Sequence, residues 1–122
     1  MQIPQIINKN RFYRIEQEEF EKEKHICLTQ REAKRFTRKI CQHFKLPQVA
    51  LKFHVGRSYR DSGNADWSEN IIRVSPNPSV MTLAHELSHI ATKSGHTKRS
   101  LAIMEKIILY ARKRNYWREL IA

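Results

Sequence analysis

The sequence predicts an α+β fold: an N-terminal helix, a small twisted three-stranded sheet, a buried helix and a C-terminal helix. Three observations carry that prediction. Thr29-Gln30-Arg31-Glu32 is a capping box, and Ala33, Phe36, Ile40 and Phe44 continue an apolar face at helical spacing until Pro47. Val49, Leu51, Phe53 and Val55 alternate with polar or small residues, the period of a half-buried strand. From Val80 to Thr92 the single charged residue is Glu86, set in a stripe of Val80, Leu83, Ala84, Leu87, Ile90 and Ala91. A helix that avoids charge on every side belongs in an interior.

The elements follow in order. Residues 1 to 28 form an N-terminal extension with scattered Ile3, Ile6, Ile7, Phe12, Ile15 and Phe20, then a mixed-charge run through Lys24; a helix is expected from about Phe12 to His25. Glutamates at 16, 18, 19, 21 and 23 are placed to pair with a basic surface, which would lay this segment over a cleft. After the capped helix and the strand at Val49 to Val55, Gly56 to Asn64 reads as a loop and Ala65 to Ser68 as a short strand. Glu69-Asn70 reads as a tight turn into Ile71-Ile72-Arg73-Val74, which Pro76 ends. Ser79, behind Asn77-Pro78, caps the uncharged helix. A last helix is expected from Thr97 to Ala122, with Leu101, Met104, Ile108, Ala111, Tyr110 and Trp117 facing inward.

Length and composition set bounds. The chain has 122 residues, 40% of them apolar, which suits one domain with one modest core. No apolar run approaches transmembrane length, and Met1 to Asn10 lacks the layout of a signal peptide, so a cytoplasmic protein without a membrane partner is expected. Cys27 and Cys41 read as reduced thiols, and two cysteines cannot build a Cys₄ zinc site. Charge is unevenly spread. Residues 1 to 32 hold six acids and six bases, whereas residues 33 to 122 hold 17 bases against six acids and carry the whole net charge of +11. Such a balance attracts a polyanion, and nucleic acid is the usual one. Arg35, Arg38 and Lys39 on the capped helix, with Lys98, Arg99, Arg112, Lys113 and Arg114 on the last, are the candidate contacts. No base-reading motif is present, so contact would be independent of sequence and sensitive to salt. A solvated basic face that only keeps the protein soluble is the competing reading.

The uncharged helix contains His85-Glu86-Leu87-Ser88-His89. Histidines at i and i+4 project from one face and can reach one metal ion, with the intervening glutamate beside it. A buried glutamate needs a reason, and coordination chemistry supplies one. Catalytic zinc takes three protein ligands as a rule. His96, seven residues after His89 and behind Gly95, is the preferred third, with Ser94-Gly95 as the turn that swings it back. Glu105, an acid in an apolar and basic helix, is the alternative.

A strand-like segment, Ala84-His85-Glu86-Leu87-Ser88-His89, then Gly95-His96 and a basic amphipathic helix, resembles the small SprT-like minimal zincins over about residues 49 to 112. In that family the third histidine is commonly followed by glycine and, four residues on, by an aromatic residue; Thr97 and Ser100 stand at those places. The resemblance implies a zinc endopeptidase with one Zn²⁺ per chain on His85, His89 and His96. Glu86 would act as the base that activates water against a peptide bond. It also implies that an edge strand above the metal pairs with extended substrate, for which Ile71, Ile72, Arg73 and Val74 are the candidates. Tyr110, Tyr116 and His54 are candidate partners for the developing oxyanion. A basic protein that binds nucleic acid without catalysis, its metal structural or absent, is the alternative from another class; a zincin that cleaves one regulator, as ImmA-like peptidases do, is a third. Substrate identity and oligomeric state are not legible in the sequence.

Overall fold

The computed structural model describes residues 14–15, 18–54 and 63–114. Among them are four helices and a three-stranded mixed sheet, an α+β arrangement. The helices are α1 (Glu21–Lys24), α2 (Gln30–Phe44), α3 (Val80–Thr92) and α4 (Lys98–Lys113); the strands are β1 (Ala50–Phe53), β2 (Gly63–Asp66) and β3 (Ile71–Val74).

The expected Phe12 to His25 helix is not continuous. Arg14, Ile15, Glu18 and Glu19 are helical, but the backbone bends at Phe20 before α1. The bend turns both Phe20 and Glu23 inward, 4% and 0% exposed, where Arg112 of α4 covers the Phe20 ring and pairs with the Glu23 carboxylate. The chain then docks on the start of α3: Leu28 N–H donates to Pro78 O and Val80 N–H donates to Ile26 O, both at 2.9 Å, around a bridge between Cys27 and Ser79. Val80 N–H is one of the four donors that a helix start leaves without an internal partner, and the N-terminal segment satisfies it.

Helix α2 forms as its sequence dictates. Thr29 Oγ1 accepts from Glu32 N–H and Glu32 Oε1 accepts from Thr29 N–H, at 3.1 and 2.9 Å. Ala33, Phe36 and Ile40 are fully buried, and the helix stops at Lys45 in a left-handed conformation. Burying side chains the size of Ile40 and Phe36 contributes about 1.5–3 kcal/mol each.

In the sheet the order is β1-β3-β2, with β1 parallel and β2 antiparallel to β3. Ile71 to Val74 is therefore the central strand, bonded on both sides, and not the free edge expected of a substrate-binding strand. Ile72 and Val74 are fully buried, so the apolar run reflects a strand in mid-sheet. Strand β2 begins and ends two residues before the expected Ala65 to Ser68. The Asp66 carboxylate accepts from Ser68 N–H, Ser68 Oγ and Glu69 N–H, which draws Trp67 and Ser68 into the turn. Asn70, at φ 54°, completes it. Gly63 has a packing role: a Cβ there would lie 3.1 to 3.2 Å from Val74 Cγ1, Arg73 O and Thr82 Cγ2, so β2 could not come as close to α3 with any other residue.

Helix α3 starts where expected. Ser79 Oγ accepts from Thr82 N–H at 3.0 Å, and every residue from Val80 to Ile90 except Thr82 is buried. It packs along α4, whose Met104, Ile107, Ile108 and Ala111 are fully buried and whose Leu101 and Tyr110 are half-buried. Val55, residues 56–62 of the expected loop and residues 115–122 of the expected last helix, Tyr116 and Trp117 among them, lie outside the described residues. No helix among the described residues is long and apolar enough to cross a membrane.

Candidate metal centre

The i, i+4 spacing places His85 and His89 on one face of α3, with ring centroids 4.7 Å apart. Leu87 and Ile90, on the opposite side, are 0% and 1% exposed in the core. His96 joins the pair from the segment between α3 and α4, its ring 5.2 Å from His85 and 5.0 Å from His89. One ring nitrogen of each lies within 4.8 Å of the others, and His85 Nε2 and His96 Nε2 are 3.2 Å apart. Tetrahedral coordination at 2.0–2.1 Å needs ligand nitrogens about 3.4 Å apart, so the three histidines are close enough to hold a metal ion.

The chain bends through Ser94, Gly95 and His96 as expected, but Gly95 does not supply a left-handed residue there. The left-handed residue is Lys93, at φ 48°, and no glycine among the described residues has positive φ. A Cβ on Gly95 would meet nothing within 4 Å. The hydroxyl groups of Thr92, Ser94, Thr97 and Ser100 hold the segment instead. Thr92 Oγ1 donates to Ser88 O at 2.9 Å and lies 2.7 Å from Ser94 Oγ, and Ser100 Oγ donates to Gly95 O at 2.9 Å. Thr97 and Ser100, the two departures from the family pattern, form the capping box of α4.

Electrostatics favour ligation. His89 Nδ1 lies 2.9 Å from Ser94 O, and a carbonyl oxygen can only accept, so Nδ1 carries the proton and Nε2 keeps its lone pair. Burial pushes the His89 pKa down to about 4, with the charges of His85 and His96 adding to it and the Ser94 and Gly95 carbonyls opposing. At neutral pH the ring is the neutral species that binds metal. Three imidazoles suit zinc, and also copper, nickel or iron.

Glu86, 6% exposed, sits between the two α3 ligands. Glu105 is not part of the cluster. It lies half-buried on α4, its pKa raised by burial first and then by the charge of Glu19, so it faces the N-terminal segment. Trp67 was not singled out by sequence. Its ring centroid is 6.2 Å from that of His89, and it is 38% exposed at the end of β2. A tryptophan in a turn beside a short strand was the available signal. Of the oxyanion candidates, Tyr110 stacks on His43 at 3.7 Å, about 18 Å along α4 from the end nearest the histidines. His54 donates its N–H to Val74 O behind β1, and Tyr116 lies outside the described residues.

The basic candidates divide. Arg38, Lys39, Lys98, Arg99, Lys113 and Arg114 are exposed, Arg114 over the Tyr110 ring, while Arg35 is half-buried. Arg112 is also exposed, but its guanidinium is engaged by the buried Glu23 carboxylate and by Glu19 O at 3.2 Å.

Fold and site together describe an α+β protein with a three-histidine cluster able to hold a metal ion. Compared with models of protein families, with curated proteins and with solved structures, the chain matches none.

Proposed function

We propose that this chain is a zinc-dependent endopeptidase domain of the minimal zincin type, acting in the cytoplasm on a protein or peptide substrate. The observation that carries the reading is the cluster of His85, His89 and His96 with buried Glu86 in the same helical turn. Bound zinc would supply a Lewis acid that makes water acidic near neutral pH and polarises a peptide carbonyl. The chain's own groups do the rest. The Ser94 carbonyl and the hydroxyls around it orient His89 and hold His96 in place. The Glu86 carboxylate takes a proton from the attacking water and passes it to the departing amine nitrogen. With β3 in mid-sheet, the strand suited to an extended substrate is β2, which borders the sheet among the described strands and packs on α3. Trp67 would then form a wall beside the scissile bond.

Lys98 and Arg99 follow His96 closely and are exposed, so a polyanion drawn to the net charge of +11 would lie beside the site. That observation also favours the second reading, a nucleic-acid-binding protein with a structural metal. Elemental mass spectrometry on the purified chain should find about one zinc per chain, reduced in His96→Ala and unchanged in Glu105→Ala. Glu86→Gln should retain zinc and lose roughly 10²–10⁴-fold in proteolysis. Full activity in Glu86→Gln would rule out the peptidase reading, and unaltered DNA binding in a zinc-loaded, inactive protein would support the second.

A further inference from the structure

Helix α2 and the segment leading into β1 enclose a cavity of about 310 Å³ that shares no residue with the histidine cluster. Its helical wall is Lys34, Thr37, Arg38 and Cys41, whose spacing puts all four on one face of α2. Across from it Leu46, Val49 and Leu51, each half-buried, supply apolar surface, and Gln42 and Gln48 also border the cavity. Burial pushes the Cys41 thiol up to about 11, so it is neutral and extends the apolar floor.

Two features point to a ligand. Thr37 is 2% exposed and its Oγ1 has no hydrogen-bond partner among the described residues, whereas a helical threonine can ordinarily bond to a carbonyl of the preceding turn. A buried hydroxyl left without a partner is costly, and the cavity it lines is where a partner could sit. Lys34 and Arg38 stand exposed at the rim one turn apart, and no carboxylate is among the described lining residues. The rim therefore favours an anion and the floor an apolar body. The volume is at the lower end of the roughly 300–1,000 Å³ found for small-molecule sites, too little for a folded partner.

We propose that this cavity is a binding site for a small apolar carboxylate, a free acid of about eight to ten carbons. The hydrocarbon lies against Leu46, Val49, Leu51 and Cys41. The carboxylate is held between Arg38 and Lys34 and accepts a hydrogen bond from Thr37 Oγ1.

Octanoate is the probe, titrated calorimetrically into the full chain, with octan-1-ol as the uncharged control. Saturable binding of one octanoate per chain is expected, unchanged by a chelator, with octan-1-ol at least about tenfold weaker. Arg38→Gln and Thr37→Val should each weaken octanoate about tenfold, and Thr37→Val should also raise the melting temperature of the ligand-free protein by removing the unpaired hydroxyl. Arg38 is exposed, so its variant will fold. No saturable binding at millimolar octanoate would overturn the proposal, as would equal affinity for the alcohol or unchanged affinity in Arg38→Gln. Each outcome is independent of whether the histidine cluster holds zinc.

Discussion

The two ends of α3 are held in different ways. At its C-terminal end His89 bonds to Ser94 O, Thr92 bonds to Ser88 O and Ser94, and His96 returns within seven residues of His89. Every partner there is a near neighbour in sequence. At its N-terminal end Ser79 caps the helix locally, but Val80 N–H reaches Ile26 O and Leu28 N–H reaches Pro78 O, fifty or more residues away. Behind that junction Glu23 pairs with Arg112, and Phe20 lies under the same guanidinium. His96 thus stands on a locally determined turn, while the helix that carries His85 and His89 is anchored by the N-terminal segment. Among the described residues of the N-terminal segment, Phe20, Glu23 and Leu28 support the helix that carries His85 and His89.

That contrast can be broken most directly by deleting residues 1 to 28. Leu28, Phe20 and Glu23 would leave the interior together, and the expected outcome is loss of the cooperative unfolding transition by circular dichroism. A truncated chain that unfolds cooperatively would mean that Ser79 alone suffices to start α3.

Arg112→Ala tests the same junction with one side chain. It removes the Arg112 guanidinium from the fully buried Glu23 carboxylate and should cost about 1–3 kcal/mol in urea denaturation, the exposed arginine giving less than a fully buried partner would. The double replacement Glu23→Leu with Arg112→Met should recover much of that, because an apolar pair needs no desolvation of charge.

The opposite end responds to pH. In chelator-treated protein His89 titrates at about 4 when folded, against 6.5 for the ordinary group. Between those values the unfolded chain binds the extra proton, so the His89 contribution to stability is fully present above pH 6.5. It is lost as pH falls to about 4. The urea midpoint should fall over that window with a slope approaching one proton, and more shallowly in His89→Gln. An unchanged slope in the variant would place the titration elsewhere.

The smallest effect concerns the turn. Gly95→Ala should be neutral or stabilise by about 0.5 kcal/mol, because the new Cβ meets open space at a backbone angle that suits alanine. Lys93→Gly should stabilise by a similar few tenths, since the left-handed conformation at φ 48° carries a steric cost for lysine. A large loss of zinc in Gly95→Ala alone would restore glycine to the centre of that turn.

Several features were legible in the chain because their causes are local. The capping box at Thr29 and Glu32, the Ser79 cap, the uncharged stripe from Val80 and the i, i+4 histidines each depend on spacing within one or two turns. His96 was within reach for the same reason. The substrate edge was misplaced because pairing order is not local: Ile71 to Val74 reads the same whether one neighbour or two lie beside it, and β1 joins it across the 17 residues between Phe53 and Ile71. Trp67 and the α2 cavity were missed because each is defined by what another element brings near. Arg112 is exposed as its helical position implies, but its pairing with Glu23 was not legible because that partner lies 89 residues earlier.

Sequence by itself determined the capped helix at Gln30, the uncharged helix at Val80, the presence of strands and the residues able to hold a metal, since these follow from backbone hydrogen bonding and side-chain periodicity over a few residues. Tertiary structure alone decided which strand is central, which arginine is committed, that Lys93 rather than Gly95 takes the left-handed turn, and that the N-terminal segment underpins α3. Those outcomes depend on packing between distant segments, where burial and the satisfaction of individual donors select one arrangement among several that the local pattern allows.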